Sequence, residues 1–329
     1  MQIRPLNKRL RARMVRDCFV ATLLAMTVAV TFLGAVTGPS ERVQYKTQVA
    51  DALQGLLSSD PIARRNAAIT LGRLKDMSAV PELIKVLDDS DVSVRRAAII
   101  ALGRIGDIES IEAITAQLED KDPGVRMDAI TALAGFRSPK ASVVIRKHLK
   151  DPHPVVRQKA AEMLGEIGDI SSQEDLIGAL SDESESMRIC VIDALVKIKA
   201  TDSLAGLKKI VTHDRVPDVR ARAAWAVGEM GDKTGKRVLI EALGDSSLKV
   251  QLAAAGALGM LHDNRGYKLA IEAAESESPI IRVEAARVLG AVGLEKATSV
   301  LEKLTKDPDD RVKKEAERAL EKIRSGGRR

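Results

Sequence analysis

The chain has 329 residues, of which 30 % are charged and only 2 % aromatic, and its formal net charge is +6. So few aromatic residues argue against the single large core of a globular enzyme, because Phe, Tyr and Trp fill much of such a core. Residues 1–40 hold six basic residues and one acidic residue, so the rest of the chain has a net charge of only +1. Most of the excess positive charge therefore lies in the N-terminal tail, and the charge of the remaining chain does not indicate that it binds nucleic acid.

An uncharged segment at residues 18–38 follows a basic tail at residues 1–17. A helix of about 20 apolar residues spans one hydrocarbon core of about 30 Å. We therefore expect residues 18–38 to form a transmembrane signal anchor. The alternatives are a cleaved signal peptide, which would leave a secreted protein, and a buried core helix. The preceding positive charges predict a cytoplasmic N-terminus, with the remainder on the exoplasmic side, periplasmic or extracellular.

After a predicted linker at residues 39–44, residues 45–325 repeat the pattern V-R-x-x-A-x-x-A-L-G every 31 residues, with a single step of 32. The arginine position is the anchor of each unit, and nine residues occupy it: Arg64, Arg95, Arg126, Arg157, Arg188, Arg220, Gln251, Arg282 and Lys313. Ala or Val lies three residues after each anchor, and Leu or Val lies seven residues after it. These positions share one helix face, so each unit is predicted to begin with a helix that buries one stripe.

A turn and a second amphipathic helix are predicted to follow the first helix of each unit. A Gly-Asp pair marks the turn at residues 106–107, 168–169 and 231–232, and glycine tolerates the left-handed backbone that ends a helix. A lone second helix precedes the first unit, and a lone charged first helix ends the array. The sequence predicts an all-α solenoid of about eight helix pairs with a half-unit at each end, before a tail at residues 326–329.

We call the residues that occupy one equivalent position in every unit a column. Two columns form a predicted structural ladder. Seven of the anchors are arginines, namely Arg64, Arg95, Arg126, Arg157, Arg188, Arg220 and Arg282. Six residues before the anchors lie Asp89, Asp120, Asp151, Asp182, Asp214, Asp245 and Asp307. Each aspartate precedes a first helix, where a side-chain oxygen can cap free N–H groups. We also expect Asp–Arg pairs within or between adjacent units to hold the array together, since a solenoid depends on contacts between neighbours.

The repeats resemble the HEAT-like repeats of the phycobilisome lyase type. The resemblance rests on segments such as residues 89–107, DSDVSVRRAAIIALGRIGD, and residues 151–169, DPHPVVRQKAAEMLGEIGD. It covers residues 45–325 and implies an armadillo-type α-solenoid. It does not imply one activity, because such repeats occur in unrelated proteins. HEAT-type deoxyhypusine hydroxylases bind iron through His-Glu pairs, and none of the four histidines here is followed by Glu.

No catalytic, cofactor-binding or metal-binding residue is predicted. The two cysteines are isolated, the histidines lack converging ligands, and no nucleophile, P-loop or dinucleotide motif occurs. We therefore expect a protein that is not an enzyme and takes no cofactor or small-molecule substrate. A lyase-type chaperone or enzyme acting on a tetrapyrrole-protein partner is the first alternative. A nucleic-acid-binding HEAT protein is the second, although a neutral body with few aromatic residues makes nucleic acid an unfavoured partner.

The leading prediction is a membrane-anchored scaffold that binds a protein partner on its concave face, with the second helices lining that face. Trp225, the single tryptophan, is the candidate partner-binding residue. It lies five residues after its anchor, in a column whose other members are chemically mixed. Filling a gap between helices is the alternative role for this side chain.

Overall fold

The computed structural model describes residues 39–326, and all regular secondary structure within them is helical. The helices are numbered α1 to α18, and the even-numbered ones are the first helices of the units. These are α2 Pro61–Leu74, α4 Val92–Ile105, α6 Pro123–Gly135, α8 Pro154–Ile167, α10 Glu185–Lys197, α12 Pro217–Glu229, α14 Leu248–Met260, α16 Pro279–Val292 and α18 Asp310–Gly326. The odd-numbered ones are the second helices: α1 Pro39–Gly55, α3 Val80–Lys85, α5 Ile111–Ala116, α7 Pro139–Lys147, α9 Gln173–Ala179, α11 Leu204–His213, α13 Lys236–Ala242, α15 Tyr267–Ala273 and α17 Thr298–Leu304.

Eight first-and-second helix pairs follow one another in the described residues, from unit 1 (α2 and α3) to unit 8 (α16 and α17). The lone helices α1 and α18 are the half-units at either side of them. The predicted all-helical repeat solenoid is thereby confirmed. One boundary differs from the prediction, because residues 39–44 are not a separate linker but the first turns of α1.

Within residues 39–326, no helix is both long enough and apolar enough to cross a membrane. The signal anchor predicted at residues 18–38 lies outside the part of the chain that the structure describes. The same holds for the basic tail at residues 1–17, and for the alternatives of a cleaved peptide and a buried helix.

The first helices begin three residues before the anchor, and in four of them the residue just before the helix provides a side-chain cap. Asp60, Asp91, Asp122 and Ser184 each accept a backbone N–H of the first turn through a side-chain oxygen. The expectation that the aspartates six residues before the anchor cap the helices was wrong. Those aspartates lie too far ahead of the first turn and have other partners, described below.

The turn inside each unit has a left-handed residue eleven positions after the anchor. Four of these residues are glycines with φ between 69° and 77°, Gly106, Gly168, Gly231 and Gly293. The equivalent residues of the other four units are not glycines, although their φ is also positive: Lys75, Arg137, Lys199 and His262. After three of the glycines an aspartate accepts a backbone N–H two residues on, as Asp107 does from Glu109. The predicted chemistry of the Gly-Asp turn is therefore confirmed.

First helices of neighbouring units pack directly against each other. Eight residues after the anchor, six units have a glycine, and it faces the next first helix in each of them. A Cβ atom on Gly72 would lie 2.6 Å from the Cα of Ala101, and one on Gly228 would lie 2.7 Å from the Cα of Ala257. Such an approach is open only to glycine, so these residues set the short spacing between first helices. Second helices have far fewer direct contacts with each other.

Candidate functional site

The ladder arginines join adjacent units. The guanidinium of Arg95 donates from Nε and Nη2 to the two carboxylate oxygens of Asp120, at 2.8 and 3.0 Å. Its Nη1 donates to the main-chain oxygen of Asp89 at 2.9 Å. The same bidentate geometry recurs in the pairs Arg64–Asp89, Arg126–Asp151, Arg157–Asp182, Arg188–Asp214, Arg220–Asp245 and Arg282–Asp307. Each arginine thus binds the loop that enters its own unit and the loop that enters the next one.

The environment of the ladder carboxylates favours their charged form. The Arg64 guanidinium lowers the pKa of Asp89 below its usual value, and Arg220 does the same for Asp245. Burial is the largest influence on Asp120 and opposes its ionisation, but the hydrogen bonds from Arg95 and from the backbone N–H of Asp122, with the charge of Arg95, together outweigh burial and lower the pKa. Fork-shaped, charge-assisted hydrogen bonds of this kind are stronger than neutral ones and fix the relative orientation of their partners.

Between units 7 and 8 the ladder has no ion pair. Gln251 occupies the anchor position, and Ser276 occupies the position of the partner aspartate. The Gln251 amide still donates to the main-chain oxygen of Asp245, at 2.6 Å, as the Nη1 of an arginine does elsewhere. Both halves of one ladder pair are therefore replaced together, while the contact within the unit is retained.

The short spacing between first helices decides which layer lies on the inside of the array. In a curved stack of helix pairs, the inner helices are closer to each other than the outer ones. The first helices, with their glycine and alanine contacts, are therefore the inner layer and line the concave face. The expectation that the second helices line that face was wrong. The exposed residues of the concave face instead come from the first helices, including the column five positions after the anchor.

Trp225 lies in this column, on α12, and is half-buried. Its indole covers Gly256, the residue at the same position in the next unit, and a Cβ atom on Gly256 would overlap the six-membered ring. The Cζ of Arg287, one unit further on, is 6.0 Å from the ring centroid. The ring packs against both of the clusters into which the apolar core divides. Trp225 thus fills a gap between units and leaves part of its ring exposed on the concave face.

A groove of about 390 Å³ opens over this ring, between α12 and α18. We call it the Trp225 groove. Its lining includes Met260, whose thioether side chain adapts readily to different partners, and the exposed side chain of Arg318. The small residues Gly290 and Ala291 form part of its surface and keep it open.

The charged residues around the Trp225 groove bind one another, both within a helix and across units. Arg222 forms ion pairs with Asp193 and, at 3.1 Å, with Glu229. Burial opposes the charge on Arg222, but Asp193 and Glu229 outweigh burial and raise its pKa. Arg287 likewise lies 3.0 Å from Glu284 and 3.5 Å from Glu315. These pairs hold the walls of the groove in a defined arrangement.

Trp225 was predicted from the sequence, whereas the side chains around it were not. Gly256, Arg287 and Arg318 belong to the same column, and Met260 lies nine positions after its anchor. In a regular array, one column places its members next to each other in adjacent units. The column itself was therefore a signal that could have located the groove.

Among residues 39–326, no group of three or more His, Cys, Asp or Glu side chains is placed to hold a metal ion. His148 is buried beside the ladder, with its Nδ1 3.5 Å from the carboxylate of Asp151. Cys190 is half-buried, and burial raises the pKa of its thiol.

A family model for HEAT repeats matches the chain in six overlapping stretches, which are residues 49–134, 93–152, 111–177, 142–228, 210–269 and 236–321. Together they extend over most of the sequence. The chain belongs to the HEAT-repeat family. A comparison with curated protein sequences finds no match.

Solved structures share this HEAT architecture at low sequence identity. A chain from the structure of Kap95p with RanGDP is 13 % identical with a TM-score of 0.63, over 84 % of this chain and 45 % of that one. The Escherichia coli protein YibA is 20 % identical with a TM-score of 0.51, over 80 % and 97 %. The CpcE–CpcF complex of phycocyanin lyase from Nostoc sp. PCC7120 is 22 % identical with a TM-score of 0.41, over 75 % and 94 %. Identity at this level shows the fold alone.

Proposed function

We propose that this HEAT-repeat protein is a scaffold that binds a protein partner in the Trp225 groove of its concave face. The observation that carries the proposal is the exposed part of the Trp225 ring, held over Gly256 beside Arg287. Tryptophan and arginine dominate the binding energy of protein interfaces, above all where they lie preordered in a depression. Kap95p, which has the same fold, is described in its structure as binding RanGDP.

The proposed action is binding and not catalysis. The charged side chains around the groove bind each other, as Arg222 binds Asp193 and Glu229, and so maintain its shape. A rigid groove suits recognition, because the side chains lose little conformational freedom when the partner binds.

We further propose that residues 18–38 anchor the scaffold in a membrane, with the repeats on the exoplasmic side. The support is the uncharged length of this segment and the six basic residues before it. A reporter enzyme fused after Arg329 should be active only outside the cytoplasm. Cytoplasmic activity of the fusion would contradict the proposed orientation, and release of the protein from membranes by alkaline carbonate would contradict the anchor itself.

Site-specific photo-crosslinking in intact cells tests the groove. A photoreactive residue at Met260 or Arg318, inside the groove, should give a covalent adduct with one and the same protein. The control position is Lys303 on α17, which is exposed on the outer layer. The variant Trp225→Ala should lower adduct formation by at least about tenfold while circular dichroism shows the helices intact. Equal capture at Lys303 would refute the proposed binding site.

A further inference from the structure

A second open surface lies at the other end of the concave face, on α2 and α4. Ile69 and Ile100 occupy the same column as Trp225, and they are 46 % and 39 % exposed. A depression of about 340 Å³ lies between them. Isolated exposed aliphatic residues are ordinary, but two in equivalent positions on adjacent helices form a continuous apolar strip. Neighbouring helices pack about 8–10 Å apart, which sets the spacing of the two side chains.

Three arginines surround this strip. Arg65, Arg96 and Arg104 line the same depression. Within residues 39–326, Arg65 has no ion pair: its Nη2 reaches only the Asn66 amide oxygen, at 3.3 Å, and its buried Nε has no hydrogen-bond partner. We call this surface, formed by the two isoleucines and three arginines, the Arg-Ile patch.

The middle of the concave face differs from the Arg-Ile patch, because its basic residues are paired. Lys159 forms an ion pair with Glu162, and Lys197 forms one with Glu166. Of the three patch arginines, Arg96 is the one with a carboxylate partner among the described residues, Asp128 at 2.7 Å, and about half of the Arg96 side chain is exposed. In the part of the chain that the structure describes, no ion pair therefore neutralises the positive charges of Arg65 and Arg104.

We infer that the Arg-Ile patch binds an acidic peptide segment of a partner protein, with apolar side chains about 10 Å apart. Two turns of helix have this length, so an amphipathic helix lying across α2 and α4 can place one apolar side chain on each isoleucine. Carboxylates beside those side chains would then pair with Arg65 and Arg104. This surface is separate from the Trp225 groove, and the inference does not depend on the function proposed for that groove.

The charges and the shape of the patch favour this occupant over others. The N-terminal tail of the same chain has six basic residues and is repelled by the arginines. A flat bilayer does not reach the inner layer of a curved array. Single-stranded nucleic acid is bound mainly by basic grooves with aromatic residues on which bases stack, and the apolar residues of this patch are aliphatic.

The experiment uses the full chain in detergent micelles and a fluorescein-labelled peptide rich in Glu and Ala, with two leucines placed two helical turns apart. Fluorescence anisotropy should show saturable binding that weakens as salt is added. The variant Arg65→Glu with Arg104→Glu should weaken binding at least tenfold. The variant Ile69→Ser with Ile100→Ser should weaken it similarly without changing the charge. A peptide with Lys in place of Glu should not bind.

The matched control is Lys85→Glu with Lys268→Glu, which makes the same charge change on second helices. It should leave peptide binding within twofold of the unaltered chain. No binding of the acidic peptide, or equal affinity in the patch variants and the control, would overturn the inference. The inference would also be overturned if an oligothymidylate or phosphatidylserine vesicles bound more tightly than the acidic peptide and the patch variants abolished that binding. The first result would assign the patch to nucleic acid, and the second to a lipid surface. Circular dichroism of every variant should show the same helix content as the unaltered chain, because the substituted side chains are on the surface.

Discussion

The junctions before unit 7 and the junction between units 7 and 8 hold the same kind of helices together in different ways. From unit 1 to unit 7, every junction has a bidentate Arg–Asp ladder pair, whereas Gln251 and Ser276 leave the next junction without its ladder pair. There α14 still approaches α16 closely, because a Cβ atom on Gly259 would lie 2.7 Å from the main-chain nitrogen of Val292. The close packing of first helices therefore does not require the ladder. The ladder instead ties together the loops that enter successive units.

The apolar core also divides into two clusters near the junction between units 7 and 8. Residues of α14 belong to two separate clusters of buried apolar side chains, with Ala254 in one and Ala255 in the other. Trp225 packs against both clusters. The two first helices of the junction without a ladder pair, α14 and α16, also line the groove that we propose as the partner-binding site, through Met260, Arg287 and Gly290. Four measurements separate the contribution of the ladder from that of helix packing.

Acidification should have the largest effect, because it acts on several ladder pairs at once. The folded chain holds the pKa of Asp89, Asp120, Asp151, Asp245 and Asp307 below the usual value of 3.8. These carboxylates bind protons more weakly in the folded chain than in the unfolded one. Their contribution to stability is therefore present above about pH 4 and is lost as the pH falls through the folded pKa values.

The measurement is the midpoint of thermal unfolding between about pH 7 and pH 2. Hydrogen exchange should show the junctions of units 1–7 opening at a higher pH than the junction of units 7 and 8, which has no ladder carboxylate to protonate because Ser276 occupies that position. A midpoint that is constant down to pH 2 would show that the ladder contributes no stability.

Loss of one ladder pair should have the second-largest effect on stability. Asp120→Ala leaves the guanidinium of Arg95, which is only 7 % exposed, without its carboxylate. Removing one partner of a buried ion pair costs about 3–5 kcal/mol, and partial access to solvent places this pair near the lower value. Urea unfolding measures the change. Glu119→Ala is the matched control, an exposed neighbour whose loss should stay within about 0.5 kcal/mol. Similar changes in the free energy of unfolding for the two variants would show that this ladder pair does not stabilise the fold.

The packing of the junction between units 7 and 8 is tested by Gly259→Ala. The added Cβ atom would meet the backbone of Ala291 and Val292, which cannot rotate away as a side chain can. We expect a loss of about 1–3 kcal/mol, measured by urea unfolding. Gly178→Ala is the control, since nothing lies within 4 Å of the added atom, and it should stabilise α9 by about 0.5–1 kcal/mol. Stabilisation by both substitutions would show that this junction is not closely packed.

Completing the ladder should have the smallest effect. Gln251→Arg together with Ser276→Asp introduces the missing pair at a site where the contact to the Asp245 oxygen already exists. We expect a gain of about 1 kcal/mol and slower amide hydrogen exchange in α16. Gln251→Arg alone should give no gain, because Ser276 provides no charge. Equal exchange rates in the double variant and the original chain would show that the missing pair has no effect on this junction.

The sequence by itself determined the helix pairs, their number in the described residues and the columns from which the ladder is built. The 31-residue period predicts these features because each unit contacts its neighbours in the same way. Residues at one equivalent position of the repeat therefore lie next to each other in adjacent units. The Gly-Asp turns at Gly106, Gly168 and Gly231 were predicted for the same reason. The left-handed residues Lys75 and His262 were not, since their type does not reveal a positive φ.

Only the tertiary structure decided which groups meet across units. Asp91 and Asp89 are both aspartates before the same helix, yet the first caps α4 and the second binds Arg64 of the preceding unit. The concave layer was likewise settled by how closely Gly72 approaches Ala101, and not by which helix is more polar. Local sequence specifies each helix and its buried stripe. The rotation between successive units, which selects the partners and the inner face, results from backbone contacts between helices that are far apart in sequence.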